Sequence, residues 1–169
     1  MLSKIKRETV LNIVYHGIFL LVLYILQGAV FPWFASGAVP LLLVVAAAGL
    51  GHFTDSGKGA VIGLCCGILC DVSLGRATVV YTVTLCVIGL VLGYLGETIL
   101  SRRFPSYLIC CLGALIVVSF VQMFSLLFFD GIPFTKLVLT ALMQVVTSMV
   151  CAVLLYPIIK KMSYRRGRR

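Results

Sequence analysis

Between positions 9 and 54 the chain carries no Asp, Glu, Lys or Arg. A soluble domain cannot hide so long an uncharged stretch. It is long enough for two bilayer crossings, since about 20 apolar residues span a hydrocarbon core of about 30 Å. The rest of the chain has the same character, with 62% hydrophobic residues, 11% charged residues and a mean hydropathy of +1.16. That is far from the roughly half-apolar, quarter-charged mix of soluble proteins. The expectation is a single all-α integral membrane domain over 1–169. Lys4, Lys6 and Arg7 precede the first apolar run as in a secretory signal, but the run far exceeds the about 7 to 15 residues of a cleavable core, so it is read as retained.

Charges and prolines cut the apolar sequence into six expected helices, at about 10–30, 39–53, 59–74, 77–96, 107–129 and 137–159, with a basic tail at 160–169. The Phe31-Pro32-Trp33-Phe34 cluster joins a helix-ending proline to interfacial aromatics, and Pro40 suits the first turn of the second helix. That second segment reads as short and weakly anchored. With alternating crossings, Lys4, Lys6, Arg7, Lys58, Arg102, Arg103, Lys160, Lys161, Arg165, Arg166, Arg168 and Arg169 fall on one side, against Arg76 and Lys136 on the other. This places both termini in the cytoplasm. The tail residues Lys160, Lys161, Arg165, Arg166, Arg168 and Arg169 read as a topology anchor or as a contact for anionic lipid or a cytoplasmic partner. The net charge of +9 therefore speaks of topology and head groups, and no basic patch interleaved with aromatics points to nucleic acid.

The stretch GLCCGILCDVSLGR, residues 63–76, raises the sharpest question of chemistry. Gly59, Gly63 and Gly67 recur every four residues, which on a helix makes one groove without side chains. Lipid gives no hydrophobic drive for helix association, so close packing through small residues must supply it. Gly89 and Gly93 give the fourth helix a similar face, and both helices are expected inside the bundle. The seven cysteines, Cys65, Cys66, Cys70, Cys86, Cys110, Cys111 and Cys151, all lie in apolar segments and read as compact filler, not as disulfides or metal ligands. His16 and His52 lie on other helices. Asp71 is a carboxylate close to the outer interface, suited to pairing with Arg76, to capping the turn at 72–75, or to a partner or pathway role. No nucleophile set, phosphate loop or metal cluster is present, so no enzyme and no cofactor are expected.

The order of these features, with Leu26-Gln27 before Phe31-Pro32, a second helix led by Pro40, the run from Gly59 through Gly63 and Gly67 to Asp71 and Gly75, and then Gly89-Leu-Val-Leu-Gly93-Tyr94-Leu-Gly96, resembles the rod shape-determining protein MreD family. The resemblance covers nearly the whole chain. Leu41 departs from it, where the family often has Asn or Asp, as does the turn Arg76-Ala-Thr-Val. It implies a noncatalytic component of the bacterial inner membrane within the cell-elongation machinery, binding MreC most directly, beside RodA, a class B penicillin-binding protein and MreB. It also implies a bundle resembling the substrate-binding subunits of energy-coupling-factor transporters. Such a vitamin-binding subunit is the alternative reading, for which Ala46-Ala47-Ala48 would supply a docking face.

Overall fold

The computed structural model describes residues 2–30, 40–73, 79–98, 103–130 and 134–164. Among these residues the chain forms six helices and no strand: α1 Leu2–Ile25, α2 Leu42–Phe53, α3 Ser56–Ser73, α4 Val80–Thr98, α5 Phe104–Asp130 and α6 Phe134–Tyr164. After Ile25, α1 widens into a π-helical turn over Leu26–Val30. Each helix lies where an apolar run was expected, although α1, α5 and α6 extend further at their ends. Lys160 and Lys161 belong to the last turns of α6 instead of to a separate tail. Arg165 to Arg169, Gly75 and Arg76 lie outside the described residues.

Three helical stretches, Val80–Thr98, Phe104–Phe124 and Leu137–Met162, are long and apolar enough to cross a membrane, as an all-α membrane protein requires. Val14–Gly28 and Leu42–Phe53 are apolar but shorter. With 18 residues, α3 is long enough but is diluted by four glycines, two serines, Lys58 and Asp71. Large apolar side chains face outward on every helix except α2, including Ile18, Val61, Val87, Phe120 and Leu154. In water such a surface would aggregate; against lipid tails it is the expected finish.

The layout corrects one sequence expectation. The helix enclosed on every side is neither α3 nor α4 but α2, all twelve of whose residues are buried. It runs through the middle of the bundle, packed against the α3–α4 hairpin on one side and against α5 and α6 on the other, with α1 laid alongside. At 1.5 Å per residue, α2 is about 18 Å long, so it does not cover a full hydrocarbon core. Instead of being weakly anchored, it is the element the others surround. Leu43, Val44, Val45, Leu50 and the alanines between fill its contacts, and Tyr107, Leu115 and Ile159 meet them from α5 and α6.

Candidate functional site

The third helix uses its glycines against the next helix of the same chain. A Cβ built at Gly59 would strike the Gly89 carbonyl, one at Gly63 the Leu85 carbonyl, and one at Gly67 the backbone of Thr82 and Tyr81. The contact is reciprocal, since a Cβ at Gly89 would strike the Gly59 carbonyl and one at Gly93 would lie 2.6 Å from the Ser56 Cα. Backbone therefore meets backbone along the length of the seam, and no rotamer change could make room for a larger residue. The strip expected to receive a neighbour is thus filled by α4 and is closed to any other helix while that seam persists.

Asp71 continues the same four-residue series past Gly67 and completes the seam. Its carboxylate accepts hydrogen bonds from the Tyr81 N–H at 3.3 Å, the Thr82 N–H at 2.9 Å and the Thr82 hydroxyl at 2.5 Å. These amides belong to the first turn of α4, where helix geometry leaves N–H groups without partners. The negative charge also lies against the positive end of the helix dipole. The bonds go ten and eleven residues downstream to the next helix; residues 74 and 75 of the turn and Arg76 lie outside the described residues.

The other end of the hairpin mirrors this arrangement. Glu97, in the last turn of α4, accepts the Ser56 N–H at 3.3 Å, at the start of α3. Asp55 just before α3 accepts the Gly59 N–H at 2.8 Å through its carbonyl and pairs with Lys58 through its carboxylate. Three of the five carboxylates in the sequence thus serve the two ends of one helical hairpin.

The short central helix is capped differently. The Leu41 N–H donates to the Ser148 hydroxyl of α6 at 2.9 Å, and the Leu43 N–H to the Gln27 side-chain oxygen at 3.1 Å. Ser148 in turn donates to the Gln144 carbonyl at 2.6 Å. The π-helical turn therefore carries a residue with a definite job. Nothing in the sequence around Gln27 or Ser148 shows that they converge, because they are 121 positions apart and meet only through α2.

At the opposite end of α2, His52 is fully buried between α4 and α5. Its ring lies 3.4 Å from the Ser106 hydroxyl and 3.7 Å from the Cys110 sulfur, with an edge-on contact to Phe53 at 5.1 Å. Phe53, Tyr107, Tyr156 and Phe104 continue this cluster across α5 and α6, and the Tyr107 hydroxyl donates to the Ala152 carbonyl at 3.0 Å. Sequence reasoning missed the cluster, although a histidine inside an uncharged apolar run signals that partners must exist.

All seven cysteines are free thiols; Cys66, Cys70, Cys110 and Cys111 are buried and Cys65 is exposed. Among the described residues no group of three or more His, Cys, Asp or Glu converges as metal ligands would. Ala46, Ala47 and Ala48 are fully enclosed by the chain's own helices, so they offer no docking face to another subunit. Lys160 and Lys161 are exposed. No family model matches the chain, and no curated protein or solved structure matches it.

Proposed function

We propose that this chain is a noncatalytic member of the bacterial cell-elongation machinery, a six-span protein of the inner membrane with both termini in the cytoplasm. In this reading it binds MreC most directly. RodA, a class B penicillin-binding protein and MreB belong to the same assembly, and the chain helps to organise sidewall peptidoglycan synthesis. The observation that carries the reading is the run Gly59, Gly63, Gly67, Asp71 followed by Gly89, Gly93, Tyr94 and Gly96, which resembles the MreD family. Because α4 occupies the glycine strip, the partner helix is assigned to an outward apolar face. The faces of α5 and α6 that bear Ile116, Phe120, Leu142 and Val146 are such surfaces.

The test is co-purification of the tagged full chain with MreC, expressed together in a bacterial membrane and extracted in mild detergent. MreC is expected in the eluate at comparable amount. Its absence beside monodisperse protein would overturn the reading, and a vitamin that raises the melting temperature would favour the transporter alternative.

A further inference from the structure

We propose that the end of the bundle where α5 begins and α6 finishes binds the phosphate of an anionic glycerophospholipid, between Arg103 and Lys160. The proposal does not depend on the cell-elongation reading. The Phe104 ring stands edge-on to Tyr156 with centroids 4.7 Å apart, and the Lys160 ammonium lies over the Tyr156 ring, 5.4 Å from its centroid. Arg103 directly precedes Phe104, so the contact between Phe104 and Tyr156 brings the start of α5, where Arg103 lies, to the turn of α6 that carries Lys160. Both are exposed, and among the described residues neither forms an ion pair; the ion pair that does form there joins Lys58 to Asp55. Two exposed cations without an ion pair among the described residues, beside an apolar surface, suit a ligand that is anionic at one end and apolar at the other.

The apolar part of that ligand also has a place. Below Phe104, Leu108 and Leu112 follow at four-residue spacing on α5, and Val153 lies one turn before Tyr156 and Pro157 on α6. Leu112 is 40% exposed and Val153 47%, so both helices carry outward apolar side chains within a few turns of the aromatic pair. The depth is suitable as well. The 27 residues of α5 and 31 of α6 give about 40 Å and about 46 Å of helix, beyond a hydrocarbon core of about 30 Å, so their ends reach the head-group layer. Tyrosine rings are the usual residents of that layer, and the cation over Tyr156 holds the ammonium there.

The experiment titrates the full chain in detergent with phosphatidylglycerol and, separately, with phosphatidylcholine, counting bound lipids by native mass spectrometry. Wild-type protein is expected to retain one phosphatidylglycerol more tightly than any phosphatidylcholine. K160Q should weaken that binding about fivefold, whereas K161Q, with the same change of charge one position along the helix, should leave it unaltered. R103Q should act like K160Q. Melting temperatures equal to wild type would show that the variants fold. Equal weakening by K160Q and K161Q would mean diffuse attraction to a basic surface and overturn the site, as would undiminished binding by K160Q.

Discussion

The central helix α2 and the α3–α4 hairpin solve the same problem with opposite means. Both must satisfy helix ends inside or near a membrane and pack without help from water. The hairpin brings backbones together through glycines, leaves its outer face to lipid, and caps each helix with a carboxylate from the other, Asp71 for α4 and Glu97 for α3. In contrast, α2 has no outer face, fills most of its contacts with Leu, Val and Ala, joins the glycine seam only at its end through Gly51 and His52, and is capped by the neutral groups Gln27 and Ser148. Depth explains the difference. A carboxylate near the hydrocarbon centre costs roughly 2.5 to 3.5 kcal/mol even on insertion scales, while near the rim it adds the benefit of the helix dipole. An 18-residue helix ends near the rim; a 12-residue helix that starts near one interface does not reach the other.

The contrast can be broken by substitutions on its two sides. Leu43→Ala, within fully enclosed α2, is expected to cost about 2 to 5 kcal/mol by opening a cavity, whereas Leu64→Ala on the outward face of α3 leaves a gap that lipid can fill. Equal losses of melting temperature would remove α2 from the centre of the account. Next in size, Gly89→Ala should cost about 1 to 3 kcal/mol, because its Cβ meets the Gly59 carbonyl. Gly113→Ala on α5 meets nothing within 4 Å and should be neutral or stabilising by up to about 1 kcal/mol. Thermal unfolding in detergent orders the pair, and the reverse order would contradict the seam.

Capping gives smaller effects. Asp71→Ala and Ser148→Ala should each cost about 0.5 to 2 kcal/mol, with Asp71→Asn milder than Asp71→Ala because an acceptor oxygen remains. Amide hydrogen exchange should quicken at Tyr81 and Thr82 in the first variant and at Leu41 in the second. Exchange spread evenly over the protein would argue against local caps. Smallest of all, Lys58→Gln removes an exposed pair with Asp55 and should change stability by about 0 to 1 kcal/mol, measured by the same melt.

The sequence marks these two regions unequally. The positions of all six helices follow from charges, prolines and aromatics, because those residues cannot lie far inside an apolar run. Glycines at four-residue spacing announce a close approach on one face of α3. The partner, however, could not be read, since lipid and protein are equally apolar and a strip that fits a foreign helix also fits the next helix of its own chain. For the same reason α2 was illegible as the centre: a helix apolar on all faces is consistent with lipid around it or with protein around it. Asp71 stood out as a carboxylate in an apolar setting, but its bonds to Tyr81 and Thr82 depend on how the hairpin closes. His52, Ser106 and Cys110 meet across more than fifty positions, beyond what spacing can reveal.

The measurement that bears most directly on the seam is the melting temperature of Gly63→Leu, purified alone with no partner present, beside that of Gly17→Leu, whose position meets nothing within 4 Å. With α4 filling the strip, Gly63→Leu should melt about 6 to 12 °C below wild type, and Gly17→Leu close to it. A Gly63→Leu protein as stable as wild type would show that the strip is open in the isolated chain and that α4 does not hold it.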